Sequence, residues 1–171
     1  ICDPAVGTGG FLVSAYEWFA AETKGGLDRS IAKRLKTKTY FGEELVERPR
    51  RLALMNLYLH AIEPHIRLGD SIYEPPSSDR FDVILTNPPF GTKGANQAPD
   101  RDDFTISTSN KQLNFIQHIL TILKKNGRAA IVTLLLDKGV DPNIRNSKGQ
   151  GPIFNAAARG HVDVARMLLD R

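Results

Sequence analysis

Disulfide bonds, membrane spans and metal sites have little support in this sequence. Its 171 residues include a single cysteine, Cys2, which excludes a disulfide framework and suits a reducing cytoplasm. No apolar run reaches the length of a membrane-spanning helix, and no secretory signal peptide is recognisable, so we expect no membrane association. The four histidines have no cysteine partners and no metal-ligand spacing, so we predict no metal; they are His60, His65, His118 and His161.

The sequence also lacks an initiating methionine. It begins at Ile1, and its first residues already belong to a glycine-rich motif, so we expect the chain to be a piece of a longer protein. A strong excess of either charge is also lacking, since the net charge is only +4. Such a mild basic excess permits binding to nucleic acid but does not require it.

Residues 81–91, FDVILTNPPFG, contain the most informative chemistry in the chain. Seven residues rich in β-formers end at an asparagine and two prolines, which cannot continue a central strand. In an open α/β sheet, ligands bind beyond the carboxyl ends of the strands. The Asn87 side-chain oxygen and the Pro88 carbonyl could accept both hydrogens of an exocyclic amine, and Phe90 offers a ring on which a base can stack. This arrangement suits a flipped-out adenine, although a stiff loop without chemistry would show the same residues.

A second motif opens the chain, where ICDPAVGTGGF reads as a strand, a glycine-rich turn and the start of a helix. Gly7 and Gly9 allow the backbone to approach a ligand closely. A dinucleotide fingerprint requires a third glycine or alanine where Leu12 stands, and no Gly-Lys-Ser/Thr follows, so a nicotinamide cofactor and a P-loop are both disfavoured. The helix carries an apolar stripe that is expected to pack on a sheet, formed by Leu12, Ala15, Tyr16 and Phe19.

Acidic residues follow the next two predicted strands. Glu43 and Glu44 lie near the end of the strand in YFGEELV, where a carboxylate can accept hydrogen bonds from ribose hydroxyls, and the residues alone leave both candidates open. Asp70 ends the segment HIRLGD. Its carboxylate could accept from the adenine amine of a cofactor or could cap local backbone N–H groups.

The coarse secondary structure is that of an α/β protein. We predict a well-buried helix over residues 47–62, a mobile polar loop over 92–111, and a helix that Asn126 and Gly127 terminate. At the last strand we predict a change to helix after residue 132 or 133 that continues to Lys138. Strands are expected near residues 1–3, 40–45, 66–68, 82–86 and 128–132.

Three segments resemble known methyltransferases. NPPF is similar to the catalytic tetrapeptide of enzymes that methylate adenine N6, and DPAVGTGGF resembles their S-adenosylmethionine motif. The run TSNKQLNFIQHILTILKKNGRAAIV resembles the modification subunit of type I restriction-modification systems. The resemblance implies a truncated class I, Rossmann-like S-adenosylmethionine-dependent methyltransferase sheet over residues 1–132, incomplete at both ends. We therefore expect the chain alone to bind its cofactor weakly and to methylate DNA little or not at all.

The resemblance also implies roles for individual residues and partners. It implies double-stranded DNA as substrate, S-adenosylmethionine as cofactor, and separate specificity and restriction subunits as partners. It favours Glu44 over Glu43 and implies that Gly7, Glu44, Asp70 and Asn87 share one cleft. The catalytic residues would be Asn87, Pro88, Pro89 and Phe90, and the cofactor-binding residues Asp3, Pro4, Gly7, Gly9, Phe11, Glu44 and Asp70.

Residues 133–171 resemble an ankyrin repeat instead. Two positions depart from the repeat pattern, because Gly151 and Phe154 stand where threonine and histidine are preferred, and about three repeats are needed for a stable array. The tail could bind a protein partner. Two alternatives to an enzyme are therefore an ankyrin-type interaction module and a gene chimera without function. The matching positions are Gly149, Pro152, Ala156, Ala157, Gly160, His161 and Val164.

Overall fold

The computed structural model describes residues 1–23, 26–88 and 97–131 of the chain, which divides into two compact units, Ile1–Asp70 and Ser71–Arg171. The first unit contains β1 (Cys2–Asp3), α1 (Gly10–Thr23), α2 (Arg29–Thr37), β2 (Phe41–Glu44), α3 (Glu47–Leu59) and β3 (His65–Leu68). The second contains β4 (Phe81–Thr86), α4 (Lys111–Ile122) and β5 (Leu123–Ile131). All five predicted strands are confirmed, although their bounds differ by a few residues.

In the first unit, β2 is the central strand and pairs in parallel with both β1 and β3. Of the predicted apolar stripe of α1, Leu12 is buried and Ala15 and Tyr16 are partly buried against the same core, while Phe19 is half-buried; buried Val13 was not part of that prediction. Parallel strands joined by helices place their carboxyl ends at one edge. The glycine loop follows β1, Glu44 is the last residue of β2, and Asp70 lies two residues after β3.

Helix α3 is less buried than expected. Pro49 lies in its first turn as predicted, but the helix ends at Leu59, and Ala61 follows with a φ of 56°. Only Ala53 and Leu57 are buried, because one narrow face of the helix contacts the sheet and the glycine loop. The prediction of a well-buried helix is therefore wrong. Its outward apolar residues are Leu52, Met55, Tyr58 and Leu59.

In the second unit, β4 and β5 pair in parallel, and α4 is almost entirely buried. The Asn110 side chain begins α4 by accepting a hydrogen bond from Leu113 N at 3.1 Å. The prediction that Asn126 and Gly127 terminate this helix is wrong. It ends at Ile122, because buried Leu123 instead pairs with Phe81 and starts β5.

The beginning of β5 is irregular. The pairing shifts between Phe81 and Val83, and Asn126 adopts a φ of 64° within the extra residues. Lys124 Nζ lies 2.9 Å from an Asp82 carboxylate oxygen across the pair. β5 ends at Ile131, one residue from the predicted end. The predicted helix beyond it and the whole ankyrin fragment, residues 133–171, lie outside the described residues.

Candidate cofactor and catalytic site

The glycine loop joins β1 to α1 by a tight turn. Gly9 N donates to Val6 O at 2.8 Å, and both Gly7 and Gly9 have positive φ, 55° and 83°. A Cβ added to Gly9 would lie 3.4 Å from Ala53 of α3, whereas one added to Gly7 would have no neighbour within 4 Å. The loop therefore requires glycine at position 9 for conformation and packing, and at position 7 for conformation alone.

Asp3 and Pro4 shape the start of this loop. Both are buried, and Asp3 Oδ1 accepts from Ala5 N at 3.0 Å, which fixes the turn immediately after β1. Phe11 lies in the first turn of α1 and is 41% exposed, so its ring is accessible at the edge of the loop.

Glu44 connects the three segments that the sequence proposes for cofactor binding. Its carboxylate accepts from Gly7 N at 2.9 Å and from Val46 N at 3.0 Å. Its main-chain carbonyl accepts from Gly69 N at 3.0 Å, and Gly69 immediately precedes Asp70. The first unit thus brings the glycine loop, the end of β2 and the end of β3 together.

Glu43 is engaged elsewhere. Its Oε2 accepts from Arg67 Nε at 3.0 Å and from Arg67 Nη2 at 2.7 Å. Neighbouring residues of a strand point to opposite faces, so Glu43 and Glu44 could not both face the glycine loop. Of the two carboxylates, Glu44 is the one that contacts the glycine loop, which favours it as the cofactor candidate. Its contact with a cofactor stays a prediction.

The donors and acceptors of this edge fit S-adenosylmethionine. Each Glu44 oxygen accepts one backbone N–H and retains a lone pair that could accept a ribose hydroxyl. The glycine loop leaves the amino end of α1 uncovered by side chains at positions 7, 9 and 10, so a ligand can approach the backbone closely. Asp70, partly exposed after β3, supplies a carboxylate that could accept from the adenine amine.

The candidate catalytic tetrapeptide, residues 87–90, begins where β4 ends, in the second unit. Asn87 is exposed and Pro88 is buried, so the main chain is held while the amide side chain remains accessible. Pro89 and Phe90 lie outside the described residues. Asn87 belongs to the second unit and the cofactor candidates to the first, so their shared cleft stays a prediction.

Cys2 is unsuited to nucleophilic chemistry. It is buried within β1, as predicted, and burial raises the pKa of its thiol, with further elevation from the neighbouring Asp3 carboxylate. A thiol in such surroundings stays protonated and unreactive. Methylation at cytosine C5 requires a cysteine nucleophile in the substrate pocket, and buried Cys2 does not fit that role.

The described residues contain neither a candidate metal cluster nor a membrane-spanning helix. No three His, Cys, Asp or Glu side chains lie close enough there to hold a metal ion. None of the described helices is long and apolar enough to cross a membrane.

One buried charged residue of the second unit was missed by sequence reasoning. Arg101 stands in a polar loop among acidic residues and would be expected to face solvent. In the structure it is buried, and it hydrogen-bonds Ser71, Asp103 and His118. Nothing in the sequence distinguishes it from the exposed charges beside it.

The fold and the site define the class of protein. A parallel α/β sheet with a glycine loop after β1 and an acidic residue at the end of β2 is the Rossmann-like fold of S-adenosylmethionine-dependent methyltransferases. The profile of the N-6 DNA Methylase family matches residues 1–147. The chain belongs to this family.

Individual relatives agree with this assignment. The chain is 39% identical over 155 residues to the type I restriction enzyme StySPI methylase subunit of Salmonella potsdam, a match that covers 84% of this chain and 29% of that protein. The crystal structure of the type I restriction enzyme EcoKI M protein superposes with a TM-score of 0.69 at 34% identity, covering 90% of this chain and 32% of that one. The chain thus spans about three tenths of the length of these relatives.

A short match of a different kind is also present. Over 43 residues, 25% of this chain, the sequence is 51% identical to the probable E3 ubiquitin-protein ligase XBOS33 of Oryza sativa subsp. japonica, covering 8% of that protein.

Proposed function

We propose that this chain is part of a DNA adenine N6-methyltransferase, the modification component of a type I restriction-modification system, with S-adenosylmethionine as methyl donor. The observation that carries this proposal is the Glu44 carboxylate, which lies at the end of β2, contacts the glycine loop, and stands where an acidic residue can accept hydrogen bonds from ribose hydroxyls. Membership of the N-6 DNA methylase family supports the same reaction.

In the proposed reaction, the chain binds the exocyclic amine of adenine and fixes its orientation. Asn87 Oδ1 and the Pro88 carbonyl accept its two hydrogens, which holds the amine nitrogen in line with the methyl group and increases the electron density at that nitrogen. Phe90 stacks on the flipped base, and Pro89 limits the rotation of the main chain between them. The cofactor, when bound, supplies an electrophilic methyl group. The transfer is direct, so no protein nucleophile is needed.

The partners follow from the same proposal. Double-stranded DNA is the substrate, and a specificity subunit and a restriction subunit complete the assembly. The names of the relatives as subunits of type I restriction enzymes support this inference. A cytoplasmic location fits a DNA-modifying enzyme with one unpaired cysteine.

We further infer that residues 133–171 form an ankyrin-repeat fragment able to contact a protein partner. The spacing of Gly149, Pro152 and the Gly160-His161 pair supports this interpretation. The family profile continues to residue 147, beyond the predicted boundary at 132, so the two assignments overlap over the intervening residues. The domain boundary stays a prediction.

A methyl-transfer assay tests the main proposal. Labelled S-adenosylmethionine is incubated with an adenine-containing duplex and the chain, with and without a specificity subunit. We expect Asn87→Ala to abolish the transfer that wild type shows and to leave cofactor affinity, measured by calorimetry, unchanged. Measurable transfer that is equal in wild type and Asn87→Ala would refute the assigned role of the amide. Absence of cofactor binding by wild type would refute the methyltransferase proposal itself.

A further inference from the structure

Arg101 lies at the centre of a buried polar cluster in the second unit. Its side chain is only 1% exposed. Its Nε and Nη2 donate to the two carboxylate oxygens of Asp103 at 2.9 and 2.5 Å, and its guanidinium carbon lies 4.0 Å from the centroid of the Phe104 ring. Its Nη1 donates to Ser71 O at 2.8 Å and lies 3.1 Å from His118 Nδ1.

This geometry fixes the direction of every hydrogen bond. A guanidinium has donors only, so His118 Nδ1 must accept, and the proton of the neutral ring is on Nε2. Asp103 balances the buried charge: burial raises the pKa of its carboxyl, but hydrogen bonding and the positive charge of Arg101 outweigh that effect and leave the pKa lowered. A planar fork with three sets of partners holds its position more rigidly than a lysine could.

The loop that carries Arg101 is itself fastened to α4. Gln117 Oε1 accepts from Ile106 N at 2.7 Å, and Gln117 Nε2 donates to Ile106 O at 3.0 Å. Asn114 Nδ2 donates to Thr108 O at 2.8 Å. We predicted that this loop is mobile. Its described part, residues 97–110, is instead hydrogen-bonded to α4 at several points, and these bonds fix the main chain that carries Arg101.

The hydrogen bond from Arg101 to Ser71 O connects this cluster to a candidate cofactor-binding residue. Ser71 directly follows Asp70 in the chain, and the main chain at Ser71 determines where the Asp70 carboxylate can point. Arg101 also lies 3.4 Å from the next carbonyl, Ile72 O, so it holds two consecutive peptide groups. A shift of about 1 Å at a binding group can cost roughly a hundredfold in rate or affinity.

We propose that Arg101 is a positioning residue that orients Asp70 toward the exocyclic amine of the cofactor's adenine, so that recognition of this amine depends on Arg101. The inference rests on the proposed function, because it assumes that Asp70 binds the adenine of S-adenosylmethionine. It assigns Arg101 no contact with the cofactor.

The test measures discrimination between an amine and an oxygen at the same ring position. Calorimetry with S-adenosylhomocysteine and S-inosylhomocysteine gives an affinity ratio for each variant. Wild type should prefer the amine ligand by roughly 10- to 100-fold, the range expected for one hydrogen bond to a charged group. Asp70→Ala and Arg101→Met should both reduce the ratio to near one. Arg80→Met is the matched control, because exposed Arg80 also donates to a backbone carbonyl, Ser77 O, at 2.8 Å.

The ratio separates positioning from general damage to the fold, because instability weakens both ligands equally. Arg101→Lys, which retains the charge beside Asp103, serves as a second variant if Arg101→Met does not fold, and it too should lose most of the discrimination. Should either folded Arg101 variant keep the wild-type ratio, the positioning role is refuted while the proposed function stands. Should wild type bind neither ligand, both proposals fail.

Discussion

Removal of the Glu44 carboxylate should destabilise the first unit and weaken cofactor binding together. In Glu44→Ala, Gly7 N–H and Val46 N–H lose acceptors at 2.9 and 3.0 Å. A hydrogen bond to a charged group contributes about 1.5–3 kcal/mol, but the site is partly exposed and water can replace part of each bond. We expect the free energy of unfolding to fall by about 1–3 kcal/mol in total. Glu44→Gln keeps one acceptor oxygen and should lose about half as much.

Urea denaturation followed by circular dichroism measures this effect. The midpoint should shift while the slope with urea stays constant, because the surface exposed on unfolding does not change. Glu22→Ala is the control, since Glu22 is an exposed carboxylate of α1, and its effect should stay within about 0.5 kcal/mol. An unchanged midpoint for Glu44→Ala, combined with wild-type affinity for S-adenosylmethionine, would refute the assignment of Glu44 as the link between the glycine loop and β2.

Three further outcomes are expected. Gly9→Val should abolish calorimetric binding of S-adenosylmethionine, because valine is strained at a φ of 83° and crowds α3, whereas Gly7→Ala meets no neighbour and should weaken binding less. Cys2 should react with a thiol reagent at least roughly a hundredfold faster in urea than in the native chain, because burial raises its pKa and blocks access. The pKa of Asp103 lies below its ordinary value of 3.8, so its stabilising effect is present above that pH and is lost in acid. The loss of stability caused by Asp103→Asn at neutral pH should accordingly shrink as the pH falls below that value.

The features that the sequence predicts well are local. The strand before Asn87 is recognisable because two prolines closely follow a run of β-forming residues, so both signals lie within a few residues of each other. The glycine loop is equally local, since glycine permits the positive φ that Gly7 and Gly9 adopt in the tight turn. For this reason the strands and the loop were placed within a few residues of their observed bounds.

Secondary structure and burial that depend on contacts with residues distant in the sequence are predicted less well. Residues 123–125, Leu-Lys-Lys, favour a helix, yet they begin β5, because pairing of Leu123 with Phe81 overrides local preference. The extent of burial of α3 could not be predicted either. Its apolar residues occur on several faces, and only the position of the sheet determines that Ala53 and Leu57 are the buried ones.

Arg101 shows most clearly how a functional residue escapes sequence reasoning. A buried guanidinium requires acceptors from separate parts of the chain, and here these are Ser71, Asp103 and His118, which lie up to thirty residues away. Removing one partner from such a cluster leaves an uncompensated buried charge, so its members depend on one another. The cluster holds the main chain at the first residue of the second unit, immediately after Asp70, the last cofactor candidate of the first. Under the proposal made above, this hold on the main chain is what directs the Asp70 carboxylate toward the adenine amine.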